Sequence, residues 1–125
     1  MLGRLDAETI LATLVAFVVA ITIHEFAHAW TALRLGDDTA ARLGRVTLNP
    51  LAHLDPIGSI GLLLIVFLGF GIGWGRPVPV NPNRLRWGHR GMALTALAGP
   101  LSNVVLALAF ALPYRIGLPA APEPV

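Results

Sequence analysis

Two histidines and a glutamate within five positions give this sequence its clearest chemical signal. The run His24-Glu25-Phe26-Ala27-His28 stands near the end of a long apolar stretch. Positions four apart lie on one face of a helix, so both imidazoles can reach the same metal ion. Glu25 stands beside them and can take a proton from a water molecule on that ion. Zinc accepts neutral imidazole ligands and lowers the pKa of its water to about 7. The motif therefore predicts a zinc site (Zn²⁺) able to hydrolyse an amide.

The composition restricts where such a site would lie. Of the 125 residues, 55% are hydrophobic and 13% are charged, and the mean hydropathy is +0.71. A soluble domain carries about a quarter charged residues, so these values exclude a small soluble globule, a disordered chain and a nucleic-acid binder. The chain has no cysteine, which excludes a disulfide framework or a thiolate metal site. An integral membrane protein in contact with a lipid bilayer is the remaining class.

Three hydrophobic stretches are expected to position the motif, at 9–35, 57–72 and 92–112. The first and third are long enough as helices to cross a hydrocarbon core of about 30 Å, and the glycine-rich second can span if the bilayer thins. The predicted fold is all-α, with about three transmembrane helices and a short β-like segment (46–48) between the first two. Because ionisable groups are costly inside a membrane, two histidines and a glutamate in the first helix indicate function.

Four motifs occur in a fixed order along the chain. They are HEFAHAW at 24–30, GRVTLNPLAHLDPIG at 44–58, PVPVNP at 77–82 and AGPLSN at 98–103. Together they resemble the site-2 protease family of intramembrane zinc metalloproteases, in its compact bacterial form without an inserted PDZ domain. The resemblance covers nearly all of the chain from the first apolar stretch to the third.

The resemblance implies a zinc endopeptidase that cuts membrane-spanning protein substrates in regulated proteolysis, located in the bacterial cell membrane as a multi-pass protein. By position, His24 and His28 would be zinc ligands and Glu25 the general base. Asn103 would lie near the active site, where it could orient substrate or an oxyanion; an interhelical hydrogen bond is the alternative role. The segments 46–48 and 77–82 would flank the zinc, and a free strand edge there could hold an unwound peptide.

The sequence departs from the family in its third zinc ligand. Family members supply it as an aspartate in a Leu-Asp-Gly motif on a further helix, and that motif is missing here. One explanation is a single peptidase core (1–125) truncated before its last helix. The other is a substitute ligand, for which Asp55 is the candidate, although an aspartate before a proline also commonly begins a helix. His53 is expected to be an interfacial side chain.

Two further functions fit parts of the same pattern. A remnant of the family that binds metal without turnover would account for the missing ligand. A small transporter or channel subunit would use His and Glu to line a proton or metal pathway. The orientation in the membrane, the oligomeric state and the identity of the substrate do not follow from the sequence.

Overall fold

The long helix α1 carries the histidine motif. The computed structural model describes residues 6–115, and α1 spans Ala7–Arg34. Asp6 caps its start, since the carboxylate accepts a hydrogen bond from the Thr9 N–H at 2.7 Å. After the helix, Gly36 has a φ of +104°, a conformation that costs glycine little and other residues more. The helix covers almost all of the predicted stretch 9–35.

Helix α4, His89–Arg115, packs along α1. It runs unbroken through Gly99 and Pro100. Both helices are long and apolar enough to cross a membrane, and only 11% of each hydrophobic window is buried. Large apolar side chains such as Phe110, which is 67% exposed, therefore point away from the protein. Helices of a soluble core bury such residues, so this arrangement indicates a membrane protein, as predicted.

Helix α3, Pro56–Leu68, is shorter than the predicted stretch 57–72. It ends because Gly69 takes the left-handed conformation, with a φ of 79°, and redirects the chain. Its 13 residues rise about 20 Å, less than a hydrocarbon core of about 30 Å. The prediction of three membrane-spanning helices is therefore not confirmed: two described helices have spanning length, and α3 is a shorter apolar helix.

Residues 69–80, here called the return segment, fold back along α3. A Cβ on Gly58 would overlap the backbone of Trp74, and a Cβ on Gly61 would overlap the backbone of Ile72. The two backbones touch only because both helix positions lack a side chain. An isolated antiparallel bridge between Leu54 and Gly75 continues the contact beyond the helix. The return segment is thereby fixed against α3.

A buried carboxylate joins the end of α1 to Asn81, the residue that follows the return segment. Asp37 is fully buried, and its oxygens accept from the Thr39 N–H at 3.0 Å, the Thr39 hydroxyl at 2.5 Å and the Asn81 N–H at 2.6 Å. Burial by itself would raise the pKa of Asp37, but the hydrogen bonds from Thr39 and Asn81 outweigh it and the pKa is lowered. Thr39 also begins the short helix α2, Thr39–Arg42.

The predicted β-like segment at 46–48 is not confirmed. Val46 and Thr47 lie in bends, and no strand is formed within residues 6–115. The backbone there is engaged in other contacts: the Arg45 N–H donates to Ala40 O at 2.9 Å, and the His53 ring lies 2.7 Å from Thr47 O. Two 3₁₀ turns, Pro50–Ala52 and Pro82–Arg84, complete the connections.

Candidate metal centre

The two histidines of α1 point their ring nitrogens at each other. The Nε2 atoms of His24 and His28 are 3.0 Å apart. The rings meet edge to face, with centroids 4.7 Å apart and planes inclined at 80°. The spacing of four positions on one helix thus brings the two nitrogens to a common point, as the sequence predicted from helical geometry.

Helix α4 holds the other nitrogen of each ring. Nδ1 of His28 lies 2.6 Å from the backbone oxygen of Thr95, and Nδ1 of His24 lies 3.0 Å from Nδ2 of Asn103. Because a carbonyl oxygen only accepts, His28 carries its proton on Nδ1 and leaves Nε2 with a free lone pair. Metal-binding histidines are usually held in this way by a hydrogen bond on the nitrogen remote from the metal.

Gly99 provides the space in which the two rings meet. A Cβ on Gly99 would lie 2.7 Å from both Nε2 and Cε1 of His24, and closer still to Nε2 of His28. Ordinary contact with such a carbon begins near 3.4 Å, so no residue larger than glycine fits without movement. The missing side chain leaves a cradle beside the two nitrogens.

The donor set fits zinc in part. Two nitrogens bound at about 2.0–2.1 Å to one tetrahedral zinc ion lie roughly 3.3 Å apart, close to the 3.0 Å between the two Nε2 atoms. His28, whose remote nitrogen donates to a backbone carbonyl, has the hydrogen bond typical of a zinc-binding imidazole. Within residues 6–115, however, no third His, Cys, Asp or Glu joins the pair. The described residues therefore supply two ligands, where catalytic zinc usually has three from protein.

Glu25 lines the same cleft as the histidines. The residue is only 8% exposed, and the cleft has a volume of about 450 Å³. The cleft is lined by α1, by Met92, Thr95 and Ala96 of α4, and by the return segment. A carboxylate and two imidazoles are thus brought together in one cleft, which is the arrangement needed for hydrolysis of a peptide bond near a metal.

A buried arginine holds the return segment in place. The guanidinium of Arg45, 6% exposed, donates to Arg76 O at 2.7 Å and to Pro77 O at 3.0 Å. The Arg76 N–H donates to His53 O at 2.7 Å. The loop that contains Arg45 and His53 is therefore joined to the return segment by three hydrogen bonds, two from the Arg45 guanidinium and one from the Arg76 N–H. This contact fixes the part of the return segment that lines the cleft.

His53 is fully buried and is not the interfacial side chain expected from the sequence. Its Nε2 donates to Thr47 O at 2.7 Å. Burial is the main reason why the pKa of the His53 ring is lowered, and the positive charge of Arg45 lowers it further, while the Thr47 carbonyl acts in the opposite direction. Burial also lowers the pKa of Arg45. Both side chains act here as supports of the loops.

The structure places the remaining predicted site residues away from the cleft. Asp55 caps α3, with Oδ1 accepting from the N–H groups of Ile57 at 2.8 Å and Gly58 at 3.2 Å. It is not brought together with His24 and His28 in the described part of the chain. Asn103 contacts the far side of the His24 ring and is not among the residues lining the cleft. Its interhelical hydrogen bond is the second of the two roles expected for it.

Sequence reasoning missed three contributors to the site: Thr95, Gly99 and Arg45. Thr95, Gly99 and Asn103 recur every four positions along α4, so they lie on one face of that helix. Small and polar residues spaced in this way on an otherwise apolar helix indicate a face that contacts another helix, here α1. The sequence shows only that Arg45 lies in the second motif. Its role could not be predicted, because the carbonyl groups that it binds are more than 30 positions away.

Comparison with known proteins shows relatives of one kind. The chain is 47% identical over 93 residues to "Putative zinc metalloprotease YwhC" of Bacillus subtilis, a match covering 74% of this chain and 40% of that protein. It is 40% identical over 94 residues to "Putative zinc metalloprotease Rip2" of Mycolicibacterium smegmatis and of Mycobacterium tuberculosis, covering 74% of this chain and 35% of each. The chain thus spans less than half the length of these relatives. No family model and no solved structure matches.

These relatives confirm the resemblance predicted from the four ordered motifs. The histidine pair, the neighbouring glutamate and the spacing of the later motifs stand in a chain whose homologues carry zinc metalloprotease names. The chain is site-2 protease-like.

Proposed function

We propose that this chain forms the metal-binding part of an intramembrane zinc metalloendopeptidase that hydrolyses peptide bonds in membrane-spanning proteins. The observation that carries the proposal is the convergence of the two Nε2 atoms, 3.0 Å apart, in a cleft that also contains Glu25. His24 and His28 would hold the ion. A multi-pass location in a bacterial cell membrane belongs to the same proposal, and the two spanning helices support it.

Each side chain has a separate part in the proposed reaction. Bound zinc would supply a Lewis acid that acidifies water and polarises the scissile carbonyl. Glu25 accepts the proton of the attacking water and later donates it to the leaving amine. Thr95 and Asn103 hold the imidazoles in place from α4. The return segment lines the cleft together with α1 and α4.

The experiment combines metal binding with cleavage. The purified chain in detergent is supplied with Zn²⁺ and incubated with a single-span membrane protein, and products are identified by mass spectrometry. Glu25→Gln should retain zinc and lower the cleavage rate by about 10²–10⁴-fold, since a general base contributes that factor. Glu8→Gln is the matched control, because Glu8 lies exposed in the first turn of the same helix, outside the cleft.

The outcomes distinguish two functions. Cleavage that Glu25→Gln removes and Glu8→Gln leaves intact supports the peptidase. Zinc bound through His24 and His28 without cleavage supports a second candidate, a metal-binding protein without turnover, which the two-ligand set of residues 6–115 favours. A wild-type chain that binds no zinc would contradict both functions.

A further inference from the structure

The hydrogen-bond pattern around the two histidines leaves one buried atom unexplained. His28 donates from Nδ1 to Thr95 O, so its Nε2 is an acceptor. A hydrogen bond across the 3.0 Å to His24 then requires the proton on His24 Nε2, and His24 Nδ1 becomes an acceptor as well. Nδ2 of Asn103 donates to it at 3.0 Å. In this arrangement Oδ1 of Asn103 is buried without a hydrogen-bond partner in the described part of the chain.

The same residues allow a second arrangement. Rotating the Asn103 amide by 180° exchanges its nitrogen and oxygen, two atoms that occupy nearly equivalent positions. Oδ1 then accepts from a proton on His24 Nδ1 and gains a partner, while Nδ2 takes the position that has no partner among the described residues. Both Nε2 atoms now present lone pairs to each other. Two lone pairs 3.0 Å apart repel unless a cation lies between them, so this arrangement suits the metal-holding state.

We infer that Asn103 is a positioning residue whose side-chain amide selects the tautomer of His24. One orientation stabilises the metal-free pair, in which the two rings share a hydrogen bond. The other orientation holds the proton on Nδ1 and leaves Nε2 free to bind the ion. Thr95 cannot act in this way, because a backbone carbonyl accepts in either state and fixes His28 in one tautomer. The inference rests on the proposed zinc site.

Substitutions of Asn103 separate this role from simple packing. Asn103→Asp places two acceptors opposite His24 Nδ1 and fixes the metal-holding tautomer, so its zinc affinity should equal or exceed that of the wild type. Asn103→Leu keeps a side chain of similar size and offers no acceptor. Its zinc affinity should fall by about 10–100-fold, the usual effect of losing a partner behind a metal-binding histidine. Ser102→Ala is the control, since the Ser102 hydroxyl bonds within its own helix, to Gly99 O.

The measurements are zinc affinity, by competition with a chromophoric chelator, and the tautomer of His24, by long-range ¹⁵N–¹H spectra of labelled histidine in the full chain. The proton of His24 should move from Nε2 to Nδ1 when Zn²⁺ is added to the wild type, and should already occupy Nδ1 in metal-free Asn103→Asp. An unchanged tautomer, or equal zinc affinity for wild type and Asn103→Leu, overturns the inference.

The experiments distinguish a failure of this inference from a failure of the proposed zinc site. If His28→Ala abolishes zinc binding while Asn103→Leu does not weaken it, the zinc site stands and the tautomer role is wrong. If the wild-type chain binds no zinc, both are overturned. Circular dichroism of each variant shows whether the helices are retained, and a Leu variant that loses its helices is replaced by Asn103→Val, for which the same loss of affinity is expected.

Discussion

Replacing Gly99 by alanine should disrupt zinc binding, although alanine has a higher helix propensity than glycine. The new Cβ would lie 2.7 Å from Nε2 of His24, about 0.7 Å short of the distance at which ordinary contact begins. Metal sites tolerate changes of roughly 0.2 Å in ligand distance, so a displacement of this size removes at least one imidazole from a shared ion. We expect zinc affinity to fall by more than about 10-fold, as when a supporting partner is lost.

Two effects of Gly99→Ala on stability oppose each other. Alanine in place of glycine in a helix interior is favourable by up to about 1 kcal/mol. Overpacking at a close contact costs about 1–3 kcal/mol, so the net effect should be destabilising. Zinc affinity is measured by chelator competition and stability by thermal unfolding in detergent. Val105→Ala is the control, because it also raises helix propensity on α4 at a position 65% exposed. A Gly99→Ala protein that is more stable and binds zinc like wild type would refute the reasoning.

Three further substitutions test the supports of the site. Asp37→Asn should flatten the dependence of thermal stability on pH. The folded-state pKa of Asp37 is lowered, so the stability that its carboxylate contributes is fully present above the unfolded pKa of about 4. That stability is lost as the pH falls through the folded-state pKa. Arg45→Lys should accelerate amide hydrogen exchange at Arg76, whose N–H donates to His53 O, and lower kcat/KM, because a single ammonium cannot reproduce the forked contact with two carbonyls. Gly61→Ala should destabilise the fold by about 1–3 kcal/mol, measured by thermal unfolding, since its Cβ overlaps the backbone of the return segment.

Each of these tests has a control or an opposing result. Arg42→Lys alters an exposed pair with Asp38 and should change neither exchange nor activity, because surface pairs contribute about 0–1 kcal/mol. Unchanged exchange at Arg76 in Arg45→Lys would mean that the return segment is held by other contacts. A wild-type stability profile that is flat below pH 5 would contradict the role of Asp37. Gly61→Ala as stable as wild type would show that α3 and the return segment separate easily.

The chemistry-bearing part of the site was the most predictable from sequence. His24 and His28 are four positions apart on one helix, so helical geometry alone brings their rings to one side, and the structure shows the convergence. The membrane class followed from the small charged fraction and the long apolar runs, since both spanning helices can be read from local composition. These inferences depend only on short-range patterns.

The parts that sequence did not predict depend on contacts between distant segments. Helix α3 ends at Leu68 because Gly69 takes the left-handed conformation. The sequence alone did not distinguish Gly69 from a glycine inside the helix, such as Gly61. The segment 46–48 alternates like a strand, but Arg45 and His53 engage its surroundings and leave it bent. The role of Gly99 depends on a helix 75 positions away in sequence: its spacing with Thr95 and Asn103 indicates a contact face, but not that the two imidazoles lie against Gly99.

The prolines of the return segment limit how a bound chain could run beside it. Pro77 and Pro79 have no N–H, and the carbonyl of Pro77 is already engaged by Arg45. In an extended chain alternate residues direct their polar groups to the same side, so a peptide laid along the side shared by 77 and 79 would meet no donors there. Such an edge is a poor template for strand pairing, which disfavours edge-to-edge association between copies of the protein. Backbone pairing with that side would rest on the N–H groups of the bound chain, because the two prolines supply none.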